Sequence, residues 1–248
     1  MDKKDSRNSG SPSGGPLGFD PRTIAHAYDL ASCQYDHWKW QEFWRRNEQP
    51  LVGELLGREG AVDITLDIGM GTGAYVELLH SYSRNVVGID VSMGMLNVSQ
   101  SNHPTAAHVC ASAFELPFRE ESFQRVLAAR MLSHYECIDG FFAQVSRVIS
   151  AGGSLIVTDV DPTHNYQVIN LPGRTKDGIP LRLEPRNHSV AQLSEIASRN
   201  SLYLNWHERI SFTDLRWKPE PRQLPSLDRS GHRRVFYVAQ FRKQIDSR

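Results

Sequence analysis

Residues 66–79 read LDIGMGTGAYVELL. An apolar, strand-like run ends in Asp67-Ile68, a glycine-rich turn follows, and an apolar helix-like segment begins. Gly69, Gly71 and Gly73 let a backbone turn tightly and approach a ligand with no side chain in the way, and the N-terminus of the next helix offers unpaired N–H groups. Such a loop can cradle a phosphate or receive the amino-acid end of another nucleotide-like ligand. Spacing separates the two. A dinucleotide fingerprint is GxGxxG, whereas this loop is GxGxG with Asp67 ahead of it. A carboxylate there repels a pyrophosphate and welcomes a positively charged amino group. Asp90, 23 residues after Asp67 in VVGID, ends the next strand-like run and suits a carboxylate that accepts both ribose hydroxyls. The competing reading is a tight strand-to-helix turn with no ligand.

Working outward, strand-like runs recur at 64–68, 85–90, 106–111, 125–129 and 154–160, separated by helix-like stretches at 73–82, 93–102 and 138–150. In the last helix Phe141, Phe142, Val145, Val148 and Ile149 form an apolar stripe, and Gly152-Gly153 is expected to end it. Strand–helix alternation with short links predicts parallel pairing in an α/β, doubly wound sheet. Two late runs, 202–210 and 234–241, add strands, giving a mostly parallel seven-stranded sheet. The pattern breaks at 161–188, an insert with a turn expected at Lys176-Asp177-Gly178, and a helix follows at 189–199. Upstream, Ile24, Ala27, Tyr28, Ala31, Tyr35 and Trp38 share one helix face, and Pro50 opens a second helix. The expected organisation is a disordered tail at 1–21, a helical cap or lid at 22–60, and the main domain at 61–248.

The chain has 248 residues, with 28 Lys and Arg against 28 Asp and Glu. Zero net charge argues against a protein that grips a polyanion with its whole surface. No apolar run is long enough to cross a bilayer, and the N-terminus MDKKDSRNSG lacks the apolar core of a secretory signal. Cys33, Cys110 and Cys137 form no CxxC, which points away from a zinc site and toward a reducing, cytoplasmic setting.

LDIGMGTGAY followed by VVGIDVSMGML resembles the S-adenosylmethionine site of class I methyltransferases. ASAFELPFREESFQRVLAARMLSHY resembles the family's adenine-side and fourth-strand segments, and VSRVISAGGSLIVTD its helix–GG–fifth-strand signature. YDLASCQYD resembles the N-terminal cap helix of small-molecule methyltransferases. The resemblance covers residues 60–160 in order. It implies that Asp67, Gly69 and Gly71 flank the methionine part of S-adenosyl-L-methionine, that Gly73 starts the helix beside it, and that Asp90 holds the ribose. It further implies that Val91 and Met95 pack on the adenine, that Ser112, Ala113 and Phe114 lie at its edge, and that Arg130 sits near the methionine end. Ser112 stands where the family often has Asp. Arg125 stands where an Asp often precedes the fourth strand, and is read as a surface change.

Methyl transfer needs an oriented acceptor and a dry site, and a base only where the nucleophile must lose a proton. His134 is a candidate base or a structurally bonded His. His164 is a second candidate or an exposed side chain, and His188 is a third or a helix cap. Tyr28, Tyr35 and Trp38 read as an aromatic lid over the acceptor or as cap packing, with Tyr135 and Asp161 as further acceptor contacts. The expected activity is methyl transfer to a small aromatic or apolar metabolite, of a kind used in natural-product biosynthesis. No nucleic acid, membrane or metal is expected as partner, and a homodimer is compatible with the sequence. The alternatives are an RNA or protein methyltransferase, which predicts a basic groove, and a non-catalytic cofactor-binding protein.

Overall fold

The computed structural model describes residues 21–165 and 168–245. The tail expected at 1–21 lies outside them except for Pro21, which opens α1 (Pro21–Tyr35). Two more helices follow, α2 (Lys39–Asn47) and α3 (Gln49–Glu59). The main sheet then builds from β1 (Val62–Ile68), β2 (Ser83–Asp90), β3 (Ala107–Cys110), β4 (Phe123–Ala129) and β5 (Ile149–Val160), alternating with α4 (Val76–His80), α5 (Met93–Asn102) and α6 (Asp139–Val148). A hairpin, β6 (Ile169–Arg174) and β7 (Pro180–Leu183), makes its own small sheet. Helix α7 (Val190–Ser198), β8 (Leu202–Ser211) and β9 (Arg234–Lys243) complete the order.

The seven-stranded sheet runs β3-β2-β1-β4-β5-β9-β8. The first five strands are parallel, while β9 is antiparallel to both β5 and β8. β1 and β4 lie side by side where strand order reverses, the place where open α/β sheets leave a crevice at their carboxyl ends. Leu66, Val126 and Leu155 face one core with α6 and α7, and Leu127, Ile156 and Val238 face the other with α2, α3 and α4. Helices thus cover both faces, as buried parallel strands require.

The structure redraws three local expectations. The apolar content of 22–60 forms three helices, and only α1 packs with α5, Ile169, Leu171 and Leu181 away from the sheet faces. Phe43, Trp44 and Val52 of α2 and α3 are sheet-facing core. Helix α6 stops at Val148, and Gly152-Gly153 lie inside β5, where pairing with β4 shifts register between Phe123 and Arg125. A Cβ on Gly153 would sit 2.8 Å from the Gln124 carbonyl oxygen, so the glycine there serves close strand approach and not helix termination. Arg125 is fully buried, not on the surface. It donates to Glu59 at 2.9 Å and to the Gly60 and Tyr82 carbonyls at 2.8 and 3.3 Å.

Candidate active site

A cavity opens where β1, β2 and β4 end, roofed by α1. The glycine loop forms its floor. The Gly69 and Met70 amides donate to the Ile89 carbonyl at 2.8 and 3.0 Å, which ties the loop to β2. The Gly71 amide donates to Asp90 Oδ2 at 2.9 Å and the Ser92 amide to Oδ1 at 2.9 Å. Asp90 therefore props the loop as well as facing the cavity. Gly71 takes a left-handed φ of 55°, and a Cβ on it would meet nothing within 4 Å, so the loop leaves open space against bare backbone.

Asp67 is 2% exposed, lines the cavity, and its Oδ2 has no hydrogen-bond partner among the described residues. Burial, then the charge of Asp90, push its carboxyl up to about 7, against a downward pull from Arg130. Burial also raises Asp90, to about 6, although the Ser92, Gly71 and Val91 amides oppose it. A buried carboxylate without a partner is costly. With the buried, amide-bonded carboxylate of Asp90 beside it, Asp67 makes a wall that gains from a cation.

Arg130 follows β4 with a left-handed φ of 55° and donates its own amide to the Thr158 carbonyl at 2.7 Å. Its guanidinium lies 5.2 Å from the Trp44 ring and pairs with fully buried Glu48 at 3.1 Å. Glu48 also accepts from Tyr75 Oη at 2.7 Å. Burial works against the Arg130 charge, but Glu48, together with smaller contributions from Tyr75, Tyr35 and Tyr28, more than offsets it and holds the guanidinium protonated. Glu48, Tyr75 and Gln41 are site residues that the sequence alone did not single out. The partners of Glu48 and Tyr75 lie 27 or more positions away in the chain, so no local spacing announces them.

Helix α1, with Asp36 just past its end, is latched over the cavity at three points. Asp36 accepts from Thr72 Oγ1 at 2.5 Å. Asp29 accepts from Ser92 Oγ at 2.6 Å and from the Gly94 amide at 2.8 Å. Tyr28 Oη and His134 Nε2 are 2.8 Å apart, with the rings edge to face. Burial lowers His134 to about 4, so the ring is neutral at pH 7. A Cβ on Gly94 would fall 2.9 Å from Ser32 Oγ and 3.0 Å from Asp29 Cα. Gly94→Val is therefore expected to lift α1. Hydrogen exchange should show lost protection across 22–35 with the sheet amides unchanged. Protection retained in α1 would contradict this docking.

A family model described as a methyltransferase domain matches residues 66–157. Over that segment the chain is similar to methyltransferase domains. Over 138 residues it is 29% identical to a demethylmenaquinone methyltransferase of Tropheryma whipplei (strain Twist), covering 55% of each chain. The chain thus spans about half the length of the curated relatives it matches. In fold it is similar to the [4+2]-cyclase SpnF, with a TM-score of 0.69 and 17% identity over 94% of this chain and 100% of the other. It is also similar to an S-adenosylmethionine-dependent methyltransferase from Mesorhizobium loti, with a TM-score of 0.58 and 18% identity over 78% and 96%. The fold is the Rossmann-like, class I methyltransferase fold.

Within the matched segment and its roof, Asp67, Gly69, Gly71, Asp90, Val91 and Met95 line the cavity. So do Ala113, Arg130, His134, Tyr135, Tyr28 and Tyr35. The other expected site residues lie outside it. Gly73, at φ 88°, is pressed against α5: a Cβ would sit 2.6 Å from Ser99 Oγ. Ser112 Oγ accepts from the Phe114 amide at 3.2 Å in a local turn, and the Phe114 ring packs on Tyr135. Trp38 packs beside Tyr35 in the cores around the cavity. Asp161 is held by Arg209 at 2.7 and 2.9 Å, which keeps its carboxyl below the ordinary range despite burial. His164 is buried, not exposed, and its Nε2 accepts from the Asp228 amide at 3.2 Å. His188 Nε2 is bonded to the Tyr135 carbonyl at 2.8 Å, while Ser189, not His188, caps α7. Tertiary packing gave these polar groups protein partners in place of a place on the cavity wall.

Proposed function

We propose that the chain is an S-adenosylmethionine-dependent methyltransferase acting on a small apolar or aromatic acceptor. The observation that carries this reading is the buried Asp67 carboxylate, whose Oδ2 has no partner among the described residues, beside a glycine loop with open space over Gly71. That pairing fits a cationic, amino-acid-bearing nucleoside and opposes a pyrophosphate. Asp67 would take the ammonium group, Asp90 the ribose hydroxyls, and Val91, Met95 and Ala113 the adenine. The chemistry such a group supplies when bound is an electrophilic methyl on a sulfonium.

This chain's own residues then orient the acceptor and exclude water. Tyr28, Tyr35 and Tyr135 offer aromatic walls, and His134 a neutral imidazole steadied by the Tyr28 hydroxyl. A small acceptor is favoured because α1 closes the cavity and the net charge is zero, whereas an RNA acceptor calls for a basic groove. The Tropheryma whipplei relative, a demethylmenaquinone methyltransferase, also points to a small-molecule acceptor.

Titration calorimetry tests the reading. S-adenosylmethionine or S-adenosylhomocysteine should bind, and NADH should not; the reverse would overturn it. Affinity should also depend on pH with a defined sign. The Asp67 carboxyl, raised to about 7, must be ionised to receive a cation, so affinity falls as pH drops through 7. A loss of about tenfold between pH 8 and pH 6 is expected, with proton release on binding visible in buffers of different ionisation enthalpy. A flat profile would remove Asp67 from the contact. If His134 takes the acceptor's proton, His134→Ala should lower kcat by about 100-fold or more with cofactor affinity kept. Unchanged turnover would leave positioning alone as its role.

A further inference from the structure

A cavity whose acids suit a cation also holds a cation of its own. Among the described residues, the charged side chains on its wall are Asp67, Asp90 and Arg130. The Arg130 charge is felt across the cavity, where it pulls the Asp67 carboxyl down against burial. The same field opposes a positively charged ligand. Glu48 lies directly behind Arg130. It forms the elbow between α2 and α3, is fully buried, and is not itself on the cavity wall. Its Oε2 sits 3.1 Å from Arg130 Nε and accepts from the hydroxyl of Tyr75, a wall residue, at 2.7 Å. Its Oε1 is buried and makes no hydrogen bond among the described residues. A buried ion pair adds little stability that packed apolar side chains would not also give. Its use here is therefore sought in the cavity that Arg130 faces.

We propose that Glu48, paired with Arg130 behind the cavity wall, is the counter-charge that makes the cavity favour the sulfonium form of the cofactor over its uncharged thioether product. This rests on the functional reading above and extends it from binding to product release. Loss of the methyl to the acceptor's lone pair returns the C–S bonding pair to sulfur and removes the charge. The two forms thus differ by one methyl and one positive charge, and a field separates them where shape and hydrogen bonds scarcely do. With Glu48 in place, its charge and that of Arg130 offset each other, so Asp67 and Asp90 set the sign of the cavity. The wall then attracts the substrate form and loosens its hold once the charge has gone. Glu48 acts through Arg130 and is a positioning residue on an elbow outside residues 66–157.

The test is calorimetry at pH 8 with S-adenosylmethionine and S-adenosylhomocysteine, on wild type, Glu48→Gln, Arg130→Met and the double variant. The quantity read is the ratio of the two dissociation constants, in which contacts common to both ligands cancel. Glu48→Gln, of matched size, should move that ratio about tenfold in favour of S-adenosylhomocysteine, as one uncompensated charge beside a desolvated cavity produces. Arg130→Met should move it by a similar factor the other way. The double variant strands no charge and should return the ratio to within about threefold of wild type. If Glu48→Gln does not fold, Arg130→Met and the double variant still differ by the Glu48 charge alone, and their ratios should differ by the same factor. A ratio constant across the folded variants, with both ligands weakened together, would make Glu48 a packing residue and overturn the proposal while sparing the cofactor reading. A double variant that keeps the ratio of Glu48→Gln would also overturn it. Failure of wild type to bind either ligand would overturn the cofactor reading and this inference together.

Discussion

Asp67→Asn should weaken binding of S-adenosylmethionine by about 10- to 150-fold while making the ligand-free protein more stable at pH 8. The two signs have one cause. Asp67 is buried, one of its oxygens has no partner among the described residues, and Asp90 adds repulsion. A charged hydrogen bond to a ligand ammonium is worth about 1.5–3 kcal/mol, and the amide cannot supply it. In the ligand-free fold the same charge is a cost. The folded carboxyl, raised to about 7, binds a proton across the window from its ordinary value of 3.8 to about 7, where the unfolded chain has lost it. Its contribution to stability is therefore full below that window and gone once pH rises through 7. Asn removes the charge, so the Tm difference between variant and wild type should grow in the variant's favour from pH 5 to pH 8. Thermal unfolding across that range reads it directly. A variant less stable than wild type at pH 8 would mean that the carboxylate has a structural partner and is not held for a ligand.

Arg125→Met should cost about 3–5 kcal/mol of stability, as expected when one partner of a buried ion pair is deleted. Arg125 is fully buried on β4 and donates to Glu59 and to the Gly60 and Tyr82 carbonyls. Glu59 keeps Ser154, Gln240 and Arg242 as partners, at 2.7, 2.6 and 2.9 Å, so its charge is not stranded outright. The two carbonyls lose their donor. Denaturant unfolding should show a lower midpoint with an unchanged slope. Cofactor affinity of the folded fraction should stay within about twofold, because Arg125 lies near the amino end of β4 and the cavity at its carboxyl end. A stability loss below about 1 kcal/mol would show that this network contributes little.

These two residues differ in how legible they are. Asp67 sits one position before a glycine loop, and the chemistry of that loop is local: GxGxG after an apolar strand, with Asp90 closing the next strand. Arg125 carries no local mark. Its burial follows from α3 ending in Glu59 and from β5 meeting β9, so that Glu59 gathers Arg125, Ser154, Gln240 and Arg242 from three separate strands. A buried arginine in a strand reads like an exposed one until its partners are in place. The histidines show the same limit. His134, His164 and His188 are equal candidates as letters, yet packing puts only His134 on the cavity wall and binds the others to the backbone of Asp228 and Tyr135.

What the sequence determined by itself was the order of strands and helices, the glycine loop and the two acids, because periodicity and turn chemistry act over a few residues. What only the tertiary structure decided was the completion of the site: Glu48 brought to Arg130, and Tyr28 to His134. Those pairings join residues 82 to 106 positions apart. They arise when the N-terminal helices dock on the sheet, and that docking is driven by non-directional apolar burial, which leaves no spacing rule in the chain.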